Sequence, residues 1–353
     1  MAPGDSVNHL DHIAPIAYIM KIPMLIEEEF LLETMEKYYP QIETIFVDHH
    51  AKLLETIATQ FDYTFVTGAN YRPNLSPLLE LIYQKNILFW YCNHGNSDKV
   101  LSHFRKQNFA FIYGSQMERR LKEEGCFDQL EGVVRTGNFR LKYYEKHQDF
   151  YDSLVDEEIF SQFDQQRPTI LYAPTWVDHE KNTSIFDVGT SVIDQLPNHY
   201  NLIFKIHPWM IHNNPGYVAH LEERYKERNN VQVLTHYPLV FPLLKRTDIY
   251  LGDFSSIGYD FLAFNRPMFF FDSTERIKDR SHSTYLHQCG TLIPEKAYST
   301  LYNYLEKCLE KDEQFHSIRK EVYFDAFGKE KGFETIFSEV STFLNCKAAT
   351  DPL

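Results

Sequence analysis

The sequence predicts an α/β protein made of two halves, each built around a parallel β-sheet. The chain has 353 residues, which at roughly 100–200 residues per domain is the length of about two domains. Short apolar segments alternate with longer amphipathic ones, the pattern of βαβ units. The alternation is interrupted once, at DQQRP (residues 164–168), so the predicted domains are 1–164 and 165–353.

The first half contains six short apolar segments with the composition of buried strands. Helical spacing separates them, as in IEEEFLLETMEKYY (26–39) and LSPLLELIYQK (75–85), and a long polar helical stretch runs from Phe139 to about Phe163. The predicted strands are PMLI (23–26), TIFV (44–47), YTFVT (63–67), ILFWY (87–91), FAFIY (109–113) and GVVRT (132–136).

The second half repeats the alternation with five further apolar segments, and from about Glu295 onward the pattern is almost entirely helical. Ligands of open parallel sheets bind outside the carboxyl ends of the strands, so we expect the site there, in a cleft between the halves. The predicted strands are TILYAP (169–174), NLIFKIHP (201–208), VQVLTH (231–236), DIYLGD (248–253) and PMFFFD (267–272).

Composition and charge exclude several classes of partner. Hydrophobic residues make up 43% of the chain, enough for a large core, while the formal net charge is −14. An acidic chain is unsuited to nucleic acid, and it disfavours strong attraction to anionic lipid. Five cysteines without C-x-x-C spacing indicate reduced thiols in a cytoplasm.

The N-terminal region has no features of a targeting segment. Its first residues lack a basic stretch, and the apolar stretch 13–26 is interrupted by Pro15, Lys21 and Pro23. We therefore expect neither a signal peptide nor a membrane span. The predicted location is the cytoplasm, with at most peripheral contact at the inner face of the membrane.

One histidine follows the strand ILFWY in a glycine-containing loop. His94 is suited to act as a general base near neutral pH, or it only forms structural hydrogen bonds. Gly95 allows close backbone approach or a positive φ. Lys99, five residues after His94, is either an anion contact or a surface charge.

Three strand ends of the second half carry groups suited to phosphate. Lys205 and His207 share one strand face in KIHP, and two groups that can be cationic suit a diphosphate; the alternative is a buried histidine. Ser255 and Ser256 begin a helix, where they either bind an anion or simply cap it. Thr175 in YAPTW either contacts phosphate or lies in a turn set by Pro174.

Several common sites are excluded or disfavoured. VDHH (47–50) imitates a phosphoesterase signature, but the other Asp-rich metal motifs are missing. The sequence has no H-E-x-x-H, no close Cys/His spacing, no P-loop and no G-x-G-x-x-G. We therefore predict no metal site, no cofactor and no dinucleotide.

Taken in order, HG…K, TGNFR, ILYAPTW, KIHP and DFSSIGYDFLAFNRPMFFFD resemble the CDP-glycerol glycerophosphotransferase family, which includes the teichoic-acid primases and polymerases. The resemblance runs from about residue 87 to 275. It implies a GT-B-like fold and transfer of glycerol phosphate from CDP-glycerol to an acceptor hydroxyl, with release of CMP. The implied partners are a CDP-glycerol or related CDP-alditol donor and a glycan or lipid-linked acceptor.

The resemblance also implies roles for individual residues. It makes His94 the base and His207 a second catalytic residue, with Ser255 and Ser256 as donor-phosphate contacts. The other expected substrate contacts are Lys205, Thr175, Arg140, Asp253 and Asp260. Val177 replaces a basic residue that the family often has after YAPTW, and the basic membrane-facing surface of the polymerases is not evident.

Two other functions share these features. A GT-B glycosyltransferase or a sugar-nucleotide epimerase would place a UDP- or CMP-sugar at the same strand ends. A non-catalytic ligand-sensing or scaffold protein is the third hypothesis, and the presence of His94 and of both serines disfavours it.

Overall fold

The structure is a computed structural model that describes residues 7–96, 101–176, 183–271 and 285–350. It divides into two units. The first comprises Met1–Gly95, Val100–Lys146 and Phe324–Leu353, and the second comprises Asn96–Lys99 and His147–Tyr323.

The first unit contains two parallel sheets. A two-stranded sheet pairs β1 with β2, and a four-stranded sheet has the order β3-β4-β5-β6. The rings of Trp90 and Phe109 stack across β4 and β5, because neighbouring parallel strands bring same-face side chains together. The strands are β1 (Met24–Ile26), β2 (Thr44–Phe46), β3 (Tyr63–Val66), β4 (Leu88–Cys92), β5 (Phe109–Ile112) and β6 (Gly132–Arg135).

Helices cover these sheets, and all six predicted strands of this half are confirmed. The predicted helical stretch 139–163 is confirmed as helical, but it is not continuous. Helices Phe139–Lys146 and Gln148–Glu158 meet at His147, and a short 3-10 helix, Phe160–Gln162, follows them. The α-helices of this unit are α1 (Val7–Met20), α2 (Glu29–Tyr38), α3 (His50–Gln60), α4 (Tyr71–Tyr83), α5 (Ser115–Glu123), α6 (Phe139–Lys146) and the last helix, α15 (Phe333–Thr350).

Helix α1 was not expected from the sequence, because it contains Pro15. A proline inside a helix removes the amide hydrogen that would bond to the carbonyl four residues earlier. The carbonyl that lacks its backbone donor belongs to Asp11, and Nε of Arg140 donates a hydrogen bond to it at 3.2 Å. A distant side chain thus replaces the missing backbone hydrogen bond.

The second unit is built on a six-stranded parallel sheet with the order β12-β11-β10-β7-β8-β9. The five predicted strands are confirmed, and the three-residue strand β12 was not predicted. The strands are β7 (Thr169–Ala173), β8 (Asn201–Lys205), β9 (Val231–Leu234), β10 (Ile249–Gly252), β11 (Met268–Phe271) and β12 (Thr291–Ile293).

The strand order of this sheet reverses between β7 and β10. The chain proceeds from β7 to β9 on one side and from β10 to β12 on the other, the order found in Rossmann folds. Side chains on both faces of β7, β8 and β10 are buried. The reversal creates a crevice at the carboxyl ends of β7 and β10, the usual ligand position in such sheets.

The helices of the second unit connect and cover these strands. They are α7 (Gln148–Glu158), α8 (Ile185–Asp194), α9 (Pro208–Asn213), α10 (Pro215–Tyr225), α11 (Phe241–Lys245), α12 (Ser256–Phe261), α13 (Leu301–Leu309) and α14 (His316–Phe327), whose last residues belong to the first unit.

The two structural units do not follow the predicted domain boundary between residues 164 and 165. Helix α7 packs on α11 and belongs to the second unit, whereas α15 packs on β6 and α1 and belongs to the first. A helix joins the sheet that buries its apolar side, and the break in the sequence pattern does not determine that choice.

Candidate active site

In the second unit, the segments that follow β7 and β10 lie at the strand-order reversal. YAPTW ends β7, and DFSS (253–256) leads from β10 into α12. KIHP ends the adjacent strand β8. Adjacent parallel strands end at the same edge, so Thr175, Lys205, His207, Asp253, Ser255 and Ser256 lie along one edge of one sheet.

Asp253 connects the two central segments. Its Oδ2 accepts a hydrogen bond from the backbone amide of Thr175 at 2.8 Å and another from the amide of Ser184 at 3.2 Å. Asp253 is only 2% exposed. These two hydrogen bonds give Asp253 a structural role through one of its carboxylate oxygens, and its predicted contact with substrate stays a prediction.

His207 is the N-cap residue of α9, directly before Pro208. Its Nδ1 accepts the backbone amide of Trp209 at 3.2 Å. In the neutral imidazole, the proton then resides on Nε2, which can donate to a phosphoryl oxygen. Lys205 is buried, and its Nζ donates to the carbonyl of Tyr237 at 2.6 Å. The ammonium group of Lys205 lies at the sheet edge, and its hydrogen bond to Tyr237 anchors the segment that follows β9.

Ser255 and Ser256 are half-buried at the start of α12. The Ser255 hydroxyl lies 3.1 Å from the hydroxyl of Tyr250, which also donates to the carbonyl of Asp253. Because a hydroxyl has one proton, Ser255 acts as the donor in its pair with Tyr250. Ser255 does not use its hydroxyl to cap α12, so the capping alternative is wrong for its side chain.

Two tryptophans lie beside His207. The rings of Trp176 and Trp209 stack with centroids 5.6 Å apart, and the Trp176 ring lies 6.3 Å from that of His207. Trp209 is 51% exposed. The exposed ring of Trp209 and the half-buried ring of Trp176 form a surface beside His207 that suits a flat ligand group such as a nucleobase.

In the first unit, His94 is exposed in the loop after β4, and its neighbour Asn93 holds that loop. Asn93 Oδ1 accepts from the hydroxyl of Tyr91 at 3.1 Å and contacts Nε2 of His103 at 3.3 Å. Asn93 Nδ2 donates to the carbonyl of Gly95 at 2.7 Å, where φ is +107°. The turn that presents His94 is thus fixed by a buried amide and a glycine.

Helix α1 brings two more histidines to His94. The ring of His9 lies 5.0 Å from that of His94, and the ring of His12 lies 6.5 Å from it. Burial lowers the pKa of His12, and Arg140, His94 and His9 lower it further. The Tyr113 hydroxyl lies 3.3 Å from Nδ1 of His12 and donates to the Asn93 carbonyl, which links α1 to the loop.

Arg140 serves a structural purpose that its motif did not indicate. It is 2% exposed and forms a buried ion pair with the Asp11 carboxylate, besides its bond to the Asp11 carbonyl. The Arg140 guanidinium thus stabilises α1 near Pro15, and its predicted contact with substrate stays a prediction. Asn138 of the same motif caps α6 through the amide of Leu141 at 3.2 Å.

The remaining predicted residues divide by position. Thr175 and Asp260 are buried, at 3% and 2% exposure, and their substrate contacts stay predictions. Lys99 and Val177 lie outside the described residues. Sequence reasoning missed Asn93, Tyr113, His9 and His12, although the two histidines at i and i+3 share a helix face.

The described residues contain neither a grouped set of metal ligands nor a helix suited to span a membrane. Across residues 7–96, 101–176, 183–271 and 285–350, no three His, Cys, Asp or Glu side chains are grouped to hold a metal ion. None of the helices in those ranges is long and apolar enough to cross a bilayer.

Comparison with known protein families decides the classification. The family described as CDP-Glycerol:Poly(glycerophosphate) glycerophosphotransferase matches residues 92–328, more than half of the chain. The chain belongs to this family. The matched region of this glycerophosphotransferase family member begins in β4, immediately before His94, and contains all the strand-end segments of the second unit.

Two curated relatives carry teichoic-acid names. The teichoic acid poly(ribitol-phosphate) polymerase of Bacillus spizizenii is 23% identical over 185 residues, 51% of this chain and 27% of its own. The teichoic acid glycerol-phosphate primase of Bacillus subtilis is 32% identical over 108 residues, 30% of this chain and 26% of its own. The chain spans about a quarter of the length of the curated relatives it matches.

Solved structures agree on the fold. The wall teichoic acid polymerase TagF, in a variant soaked with CDPG, matches 99% of this chain and 88% of its own with a TM-score of 0.66 and 13% identity. The UDP-GlcNAc 2-epimerase of Neisseria meningitidis matches 96% and 98% with a TM-score of 0.58 and 14% identity. The predicted GT-B-like α/β fold class is confirmed, and at these identities the likeness concerns the fold alone.

Proposed function

We propose that this protein transfers glycerol phosphate, or a related alditol phosphate, from a CDP-linked donor to an acceptor hydroxyl and releases CMP. The observation that carries the proposal is that His207, Ser255 and Ser256, to which the sequence resemblance assigns contacts with the donor phosphates, lie at the carboxyl edge of one sheet beside the strand-order reversal.

The donor phosphates need hydrogen-bond donors and positive charge. Nε2–H of His207, the ammonium of Lys205 and the amides at the start of α12 supply these. Trp176 and Trp209 offer the flat surface on which the cytosine would stack. Asp253 also contributes to the site by tying the segment containing Thr175 to the segment containing the serines.

His94 is the proposed general base. The acceptor oxygen attacks the β-phosphorus of the donor, and its proton passes to the imidazole of His94. The bond between the β-phosphorus and the bridging oxygen breaks, and CMP leaves with that electron pair. General-base action is typically worth about 10²–10⁴-fold in rate, and preorganised donors at the phosphoryl oxygens supply much of the remainder.

The proposed partners follow from the family. The donor is CDP-glycerol or a related CDP-alditol, and the acceptor is a glycan or a lipid-linked molecule. The names of the curated relatives include both glycerol phosphate and ribitol phosphate, so both donors are candidates. We propose a cytoplasmic location with at most peripheral membrane contact, which the acidic charge supports.

The rival enzyme hypothesis differs in its nucleotide. The fold resembles that of a UDP-GlcNAc 2-epimerase almost as well as that of TagF, so the fold does not select between CDP-linked and UDP-linked donors. The family membership favours the CDP-linked class.

The deciding experiment is a ligand screen by thermal unfolding. CDP-glycerol, CDP-ribitol, UDP-GlcNAc, CMP and UMP are compared at equal concentration, because a ligand that binds the folded state raises the melting temperature. We expect the largest rise with a CDP-alditol, and CMP formation by chromatography once an acceptor is present. A larger rise with UDP-GlcNAc would contradict the proposal.

A further inference from the structure

Three imidazoles from two distant parts of the sequence meet in the first unit. His94 lies after β4, whereas His9 and His12 lie one helical turn apart on α1. His94 is exposed, His9 is half-buried and His12 is buried. Exposure thus decreases in steps from His94 to His12.

Each member of this cluster is held by a different contact. His12 is fixed through the Tyr113 hydroxyl, and α1 is secured at its proline by Arg140. The His94 loop is fixed by Asn93. The contact between the rings of His9 and His94 therefore joins two anchored elements, α1 and the loop after β4, which the Tyr113 hydroxyl also links.

The titratable groups around His94 are two imidazoles and one ion pair. His9 and His12 face it from α1, and Arg140 on α6 lies behind His12, paired with Asp11. Tyr113, which follows β5, contacts His12 and the Asn93 carbonyl. The Asp11 carboxylate offsets part of the Arg140 charge, so the opposition to a proton on His94 comes mainly from a proton already present on His9 or His12.

We infer that His9 is a positioning residue for His94: its ring packs against the His94 imidazole, and its positive charge at low pH opposes the protonation of His94. A general base must be unprotonated when the acceptor hydroxyl arrives, so this arrangement extends base action to lower pH. The inference rests on the proposed function only in calling His94 a base.

The size of the effect follows from the separation. Two unit charges about 5 Å apart at a solvent-exposed site repel enough to shift a pKa by about half a unit. His9→Phe removes the charge and keeps an aromatic ring. His9→Lys makes the charge permanent across the range in which imidazoles titrate.

The experiment measures the titration of His94 by NMR, with its signal assigned by its absence in His94→Asn. We expect the pKa of His94 to rise by about half a unit in His9→Phe and to fall in His9→Lys. His220→Phe, at an exposed histidine on α10, is the matched control and leaves the titration unchanged. Superimposable His94 titrations in wild type and both His9 variants would overturn the inference.

Activity provides the second measurement. In His9→Phe, the acidic limb of the kcat profile moves to higher pH by the same amount, while the plateau stays within about twofold. A lower plateau with an unshifted limb would mean that His9 only supports packing. A failure of the proposed function can be told apart from a failure of this inference. If the His9 variants shift the titration of His94 but His94→Ala keeps its turnover, the interaction between His9 and His94 is supported and the assignment of His94 as the base is wrong.

Discussion

The carboxylate of Asp253 accepts the backbone amide of Thr175 at 2.8 Å, so a residue after β10 holds the chain that leaves β7. These strands are neighbours only because the sheet order reverses between them. The same oxygen accepts the amide of Ser184, and Thr175 and Ser184 are thereby fixed to one buried charge.

Replacing Asp253 should therefore affect both stability and donor binding. Hydrogen bonds to charged groups contribute about 1.5–3 kcal/mol, so Asp253→Ala should lower the free energy of unfolding by about that amount or more. Urea unfolding measures the loss, and calorimetry measures the affinity for CDP-glycerol. Asp187→Asn, at an exposed carboxylate on α8, is the control. Unchanged stability in Asp253→Ala would contradict the structural role.

His94→Ala should reduce kcat on the order of 100-fold or more while leaving CDP-glycerol affinity intact, because the base acts on the acceptor proton. CMP release is measured under saturating donor, and affinity by calorimetry. His220→Ala tests for a general effect of losing an exposed histidine. Near-normal turnover in His94→Ala would remove His94 from the mechanism.

The paired serines should matter for the donor. Ser255→Ala combined with Ser256→Ala should weaken CDP-glycerol binding more than His94→Ala does, since the serines lie at the sheet edge proposed to hold the phosphates. Calorimetry on the double variant, His94→Ala and wild type provides the comparison. Equal donor affinity in the double variant and wild type would place the diphosphate elsewhere.

Stability should fall on acidification because of His103. Burial, with a smaller effect of Lys106, lowers the pKa of His103 from 6.5 to about 4. Between these values the unfolded chain binds more protons at this residue than the folded protein, so stability is lost as the pH falls from about 6.5 towards 4. The full shift corresponds to at most about 3 kcal/mol.

His103→Gln separates this contribution from other titrations. Glutamine keeps an amide that can donate to Asn93 Oδ1, but it does not titrate. The difference in unfolding free energy between pH 7 and pH 5 should be smaller in the variant, by urea denaturation. The pKa of His12 is also lowered, so its contribution to the dependence of the unfolding free energy on pH remains in this variant. Identical slopes would show that His103 does not drive the effect.

Activity should not require a tightly bound divalent metal. The donor phosphates are proposed to meet His207, Lys205 and the start of α12, which supply donors without a metal. The nearest carboxylate in sequence, Asp253, has one oxygen engaged by two backbone amides. The measurement is CMP release after treatment with EDTA and desalting, with either EDTA or Mg²⁺ added. Activity lost with EDTA and restored by Mg²⁺ would require a different arrangement of the site.

Most of the fold could be predicted from the sequence, because each βαβ unit has a local pattern of apolar and amphipathic segments. All eleven predicted strands are present, and the strand-end positions of His94, His207 and Ser255 followed from them. Strand ends are local features, because a parallel strand must be followed by a connection that returns over the sheet.

What only the tertiary structure decided concerns residues far apart in the chain. Helix α1 forms despite Pro15 because Arg140, 129 residues from Asp11, replaces the missing hydrogen bond. The same packing places His9 beside His94, and the strand order places Asp253 beside Thr175. No periodicity records such pairings, because they depend on which elements become neighbours when the chain buries its apolar surface.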